Sequence, residues 1–163
     1  MKLDKADFQI LEILQREGRI TNIELAKRIG LTPAPTLARV HKLEELGYIK
    51  RFVALADQAK LNLGVTAFVS VILESHRKKT SIDFVKAMQK LPEVLECHHI
   101  AGDEDFLLKV VAASPADYEE FVLEKLTKIG GIEKVKTTFV LSSPKQETAI
   151  PVQGGQNDEN SNV

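Results

Sequence analysis

The chain has 163 residues, 44% of them hydrophobic, enough to bury a core in one domain or in two small ones. No apolar run approaches the length needed to cross a bilayer, and the charged start MKLDKADF lacks a signal-peptide core, so a soluble, cytoplasmic protein without a membrane partner is expected. The single cysteine, Cys97, excludes an internal disulfide framework, and the net charge of −1 hides an asymmetry. Residues 1–52 carry ten Lys/Arg against seven Asp/Glu, a balance of +3, and the remainder carries twelve against sixteen, a balance of −4. That pattern points to an anionic partner for the first part alone.

Three amphipathic segments come first. In LDKADFQILEILQREGR, Leu3, Phe8, Ile10, Leu11 and Leu14 recur at helical spacing before Gly18 stops the pattern. In TNIELAKRIG, Thr21 and Glu24 form a Thr-x-x-Glu capping box, and Gly30 ends the helix. The third segment, GLTPAPTLARVHKLEELGYIKRF, has two prolines at its start. With Thr32 as N-cap, Pro33 is N1 and Pro35 is N3, positions whose missing N–H groups sacrifice no intrahelical bond. The prolines therefore fix where this helix begins.

The trio fits a helix-turn-helix. Leu37, Val40, Leu43 and Leu46 recur every three residues as the expected buried stripe, which leaves Thr32, Ala34, Thr36, Ala38, Arg39, His41 and Lys42 outward. Small and hydroxyl groups at the N-terminal end admit the helix to a major groove, where Arg39 and Lys42 reach bases or phosphates. Arg28 and Arg51, with Arg16, Arg19, Lys27 and Lys50, are placed to hold backbone phosphates of double-stranded DNA. The plain alternative is a solvated basic face on a helical bundle.

After Gly47, residues 48–64 (YIKRFVALAD and onward) read as a β-strand hinge. A second rhythm follows: strand 65–73, helix 81–91, strand 94–100, strand 106–112, helix 114–129 and strand 133–141. That order is the ferredoxin-like βαββαβ arrangement. The fold class is thus α+β, with a helix-turn-helix (winged-helix-like) domain over 1–47, the hinge over 48–64, a ferredoxin-like domain over 65–152 and a disordered tail over 153–163.

Two constellations invite chemistry. The turn AGDEDF crowds Asp103, Glu104 and Asp105 behind Gly102 and could hold a ligand ammonium group, although spacing alone favours a polar hairpin turn. Cys97, His98 and His99 suggest metal ligands, but strand neighbours alternate faces, so no metal site is expected. No nucleophile with a base, no P-loop and no dinucleotide fingerprint is present, so neither an enzyme nor a cofactor is expected.

The motifs LDxxDxxIL…LQxxGR, TNIELAKRIGLTPAPTLARVHKLEELGYI, NLG, GDEDFLLKV and the closing K…T…IP, taken in order, resemble the leucine-responsive regulatory protein/AsnC family of transcription regulators, from Leu3 to about Pro151. The resemblance implies a DNA-binding helix-turn-helix, a β hinge, and a C-terminal domain that senses an amino acid and forms dimers and higher oligomers. It places the recognition helix at Thr32–Leu46, with Arg39 on a family arginine and His41–Lys42 in place of a basic pair, which makes contact strength there sensitive to His41 protonation. It places the effector pocket between dimers at Gly102, Asp103 and Asp105, with Thr138 from the last strand and His98 where an aromatic residue is common. Three rivals stay open: an architectural DNA-wrapping protein without an effector, a metabolite-sensing interaction module and, as the remotest, an enzyme using the acidic turn and the histidines.

Overall fold

The computed structural model describes residues 3–75 and 78–152; the tail expected over 153–163 lies outside the described residues. Two compact units result. Among the described residues, one comprises 3–55 together with 145–152; the other lies within Ala56–Pro144.

The first unit holds α1 (Lys5–Arg16), α2 (Asn22–Arg28) and α3 (Pro33–Glu45). α1 opens on a reciprocal capping box in which the Asp4 side chain accepts the Asp7 N–H at 3.0 Å and the Asp7 side chain accepts the Asp4 N–H at 3.1 Å. At α2 only half of the box expected from Thr21 and Glu24 is made. Thr21 Oγ1 accepts the Glu24 N–H at 3.2 Å, while the Glu24 carboxylate turns to Arg28. Gly30, at φ 70°, ends α2 as the sequence requires: its N–H bonds the Lys27 carbonyl and the next N–H, of Leu31, reaches back to Ala26, a Schellman closure. Ile10, Leu25 and Leu43 form the fully buried centre, each contributing roughly 1.5–3 kcal/mol through burial.

The stripe expected on α3 is corrected by the structure. Leu43 is buried, but Leu37 and Leu46 are about half exposed, and Thr36 is fully buried instead. A spacing of three residues drifts about 60° per step around a helix of 3.6 residues per turn, so it cannot stay on one face. The inward face is carried by Thr36, Arg39, Val40 and Leu43, the i, i+3, i+4, i+7 pattern.

The hinge is corrected as well. No residue from 48 to 64 is in a strand; the segment is extended and then turns at 58–62, with Tyr48, Phe52, Val53 and Leu55 exposed. A strand requires a ladder partner, and the single chain provides none there. Residues 145–152 also cluster with the first unit, where the Gln15 side chain both donates to and accepts from the Ile150 backbone, at 3.2 and 2.8 Å.

The second unit runs β1 (Val65–Leu73), α4 (Lys78–Met88), β2 (Val94–His99), β3 (Phe106–Ala112), α5 (Pro115–Phe121) and β4 (Ile132–Phe139). The sheet order is β2-β3-β1-β4 with every pair antiparallel, the ferredoxin-like topology. One face, lined by Val69, Val71, Leu108 and Val110, packs on Phe84 and Met88 of α4 and on Tyr118 and Phe121 of α5. α4 starts three residues before the expected position, because its first turn carries no apolar periodicity. α5 widens into a π-turn over Val122–Leu126, closed by the Thr127 N–H on the Val122 carbonyl at 2.9 Å.

Candidate DNA-binding face and effector turn

α3 begins as its prolines dictate. Thr32 is the N-cap, although its side chain makes no capping bond, and Pro33 is the first helical residue. Three contacts hold this start in place. Asn22 Nδ2 donates to the Pro33 carbonyl at 2.7 Å. Thr36 Oγ1 donates to the Thr32 carbonyl at 2.9 Å. Arg39 Nη1 donates to both Asp4 Oδ2 and Asp7 Oδ1, each at 2.7 Å.

These contacts divide the expected DNA-facing residues. Thr32, Ala34, Ala38, His41 and Lys42 are exposed together with Arg51. Thr36 is not: its hydroxyl is turned into its own helix, and the expectation that it faces outward is withdrawn. Arg39 is corrected in the same way, because its guanidinium points at α1 rather than away from the bundle. Arg28 lies between Glu17 at 2.6 Å and Glu24 at 3.3 Å, and its hydrogen bond holds the Glu17 carboxyl below the usual carboxylate range. His41 Nδ1 is 3.2 Å from Glu44. Lys42 and Arg51, like Arg19, Lys27 and Lys50, have no ion pair among the described residues. Sequence reasoning missed Asp4, Asp7 and Asn22. The Asp-x-x-Asp spacing before an apolar run was the available clue to the first two.

In the second unit, Gly102 adopts φ 155° in the β2–β3 turn, with open space where a Cβ would stand. Asp103 is exposed; Asp105 is half-buried and accepts the Leu73 N–H at 2.8 Å. His98 lies on the helix-free face beside Glu96 at 3.0 Å. That bond, with a second from Lys109, keeps the Glu96 carboxyl below its ordinary range. Thr138, on β4, is on the same face, opposite Phe68 of β1. However, β2 and β4 are the two edges of the sheet, three strand spacings or about 14 Å apart. One chain therefore gathers His98 with the turn but does not bring Thr138 to them. Cys97 and His99 face the helices, as strand alternation requires, and the His99 ring stacks on Phe106 at 4.9 Å. Burial pushes the Cys97 thiol up. Among the described residues no group of three His, Cys, Asp or Glu could hold a metal.

A helix-turn-helix unit with an open, basic helix face, carried on one chain with a ferredoxin-like unit, defines a DNA-binding transcriptional regulator with a ligand-binding domain. Residues 3–50 match the winged helix-turn-helix DNA-binding family and residues 66–150 the Lrp/AsnC ligand binding domain. The chain belongs to the Lrp/AsnC family. It is 36% identical to the transcriptional regulator AzlB of Bacillus subtilis, over 92% of this chain and 96% of that protein. It is 37% identical to the leucine-responsive regulatory protein of Escherichia coli, over 92% of each. A transcriptional regulator from Neisseria meningitidis, solved as a complex with L-Met, superposes with a TM-score of 0.89 at 36% identity, covering 93% of this chain and 98% of that one. An AsnC family regulator from Agrobacterium tumefaciens gives 0.87 at 38% identity, covering 91% and 97%. The domains and relatives are those of a regulator and not of an enzyme.

Proposed function

We propose that the chain is a cytoplasmic regulator that places the N-terminal end of α3 in the DNA major groove, with an amino acid bound at the β2–β3 turn modulating that engagement. The observation that carries the first half is the exposed face of Thr32, Ala34, His41 and Lys42 on a helix whose start is fixed from behind. Small side chains there permit close approach, and Lys42 reaches bases or phosphates. Arg51 is free to hold phosphate, and Arg28 does so by exchanging its carboxylate partners.

An open glycine turn with the exposed Asp103 suits an ammonium group, and His98 flanks it. The L-Met complex of the Neisseria relative supports an amino acid as the effector class. Asp105 shapes the turn through its bond to Leu73. Thr138 joins this site only from another copy, and the uncovered Phe68 on the helix-free face favours such self-association. A ligand that prefers one association state then changes how many DNA half-sites are engaged together.

Two measurements test this reading. Lys42→Ala is expected to reduce the salt slope of DNA affinity by about one unit if it neutralises a phosphate. A thermal-shift panel of the twenty amino acids should give a selective stabilisation, roughly 2.7 kcal/mol at 100 times the dissociation constant. Asp103→Ala should abolish it. An unchanged slope refutes the α3 face, and a flat panel refutes the amino-acid effector.

A further inference from the structure

We propose that Arg39 is a positioning residue for DNA recognition: it sets α3 against the capping box of α1 and touches no base. The proposal rests on α3 being the DNA-reading helix.

The case is one of complete accounting. Asp4 Oδ1 accepts the Asp7 N–H, and Asp7 Oδ2 accepts the Asp4 N–H. The two remaining oxygens, Asp4 Oδ2 and Asp7 Oδ1, both accept from Arg39 Nη1. Each carboxylate oxygen thus has one donor, and the network closes on a single nitrogen. The Asp7 side chain is only 6% exposed, so withdrawing Arg39 towards DNA would strand a carboxylate that water cannot reach. A base contact by the same guanidinium would have to overcome that loss. Position agrees with chemistry. Arg39 lies within the inward arc of α3 that contains Thr36, Val40 and Leu43, whereas Ala34, Ala38 and His41 occupy the opposite side. The same bond fastens the middle of α3 to the first turn of α1, 32 and 35 residues away in sequence. Together with Asn22 on Pro33, it leaves the helix two anchors, one at its start and one two turns in. Such anchoring matters because groove contacts tolerate little misplacement of the element that carries them.

The two roles predict opposite signs for the carboxylates. If Arg39 reads DNA, removing Asp4 or Asp7 frees a cation and deletes a negative charge, so affinity rises or holds. If Arg39 positions α3, removing either acid weakens binding as removing the arginine does. The experiment measures affinity of the full-length protein for the best duplex selected by the wild type from a random-sequence pool, using Arg39→Gln, Asp7→Asn, Asp4→Asn and the double variant D7N/R39Q. Asp4→Asn keeps a competent N-cap and isolates the charge, which guards against misfolding at the buried Asp7; thermal unfolding verifies that each variant is folded. The expected result is a loss of roughly 5- to 50-fold in both R39Q and D7N, a smaller loss in D4N, and a double variant no weaker than the worse single. Repeating the selection with R39Q should return the wild-type base preference at every position. Tighter or unchanged binding by D7N and D4N, or preference lost at one base pair in R39Q, overturns the proposal. If Lys42→Ala leaves affinity and salt slope unchanged, α3 is not the reading helix and the proposal falls with that reading, an outcome separable from the carboxylate signs.

Discussion

The carboxylate of Asp105 accepts the backbone N–H of Leu73 at 2.8 Å, while the Asp105 N–H donates to the Val71 carbonyl at 2.9 Å. Leu73 lies beyond the last β1–β3 pair, Val71 with Phe106, so its N–H on that side runs past the ladder and Asp105 supplies the acceptor. The turn that carries the proposed effector site is thereby tied to the end of β1. Asp105→Ala is expected to leave a buried N–H unsatisfied and to destabilise the unit by about 1–3 kcal/mol. Asp105→Asn keeps a carbonyl acceptor and should lose little. Hydrogen exchange at the Leu73 amide separates the two: fast in the alanine variant, protected in the asparagine variant.

Gly131 closes the turn before β4 at φ 87°, and a Cβ built there would stand 2.9 Å from Thr80 Cγ2. Two penalties coincide, one in the backbone and one in packing. Gly131→Ala is expected to cost roughly 1–2 kcal/mol from the left-handed conformation alone, with the clash in addition. Thr80→Ser removes the offending methyl, so the pair G131A/T80S should recover the steric part and retain the backbone part. Urea denaturation of the four proteins in this cycle measures both, and full recovery would show that the conformation carries no penalty.

The two units differ in how far their sequences disclosed them. Strands β1 and β3 were legible to the residue, because VTAFVSVIL and FLLKVVA have one face packed on helices and few polar interruptions. The prolines at 33 and 35 announced the start of α3 because their backbone chemistry is local. What failed was long-range or depended on phase. Leu37 and Leu46 share a spacing of three that drifts off the buried arc, and the Thr36 hydroxyl reads as polar and outward although its own helix satisfies it. Arg39 looked like a DNA contact because its acidic partners are on another helix, more than thirty residues earlier. The 48–64 segment read as strand from composition, yet a ladder needs a second strand that one chain does not supply there.

The Asp4–Arg39 contact gives the first unit a definite acid sensitivity. The Asp7 backbone hydrogen bond, aided by Arg39, holds the Asp4 carboxyl below its ordinary value. A group whose folded value is depressed contributes stability above its unfolded value, and loses it as pH falls through the folded one. Stability of the helical unit is therefore expected to decline on acidification below about pH 4. Asp4→Asn should flatten the part of this decline that Asp4 carries. Thermal unfolding of wild type and variant between neutral pH and pH 3 tests it; parallel curves would contradict the assignment.

Thr36 offers the cleanest separation of packing from recognition on α3. Its side chain is fully buried, and its hydroxyl bonds the Thr32 carbonyl, which also receives the Thr36 N–H at 3.3 Å. Thr36→Val therefore leaves no orphaned acceptor and is expected to cost less than about 1.5 kcal/mol. Thr36→Ser keeps the hydroxyl but removes a buried methyl, for a loss of about 1 kcal/mol. Neither changes a surface that DNA can touch, so base preference should be identical to wild type in both. Ala34, two residues earlier and exposed, should behave oppositely: Ala34→Glu puts a carboxylate on the groove-facing side and should weaken DNA binding while leaving thermal stability nearly unchanged. Measuring melting temperature and DNA affinity on the same three variants decides the point. If Thr36→Val altered base preference while Ala34→Glu bound normally, the face of α3 turned towards DNA would be the one the structure buries, and the orientation of the helix would have to be revised.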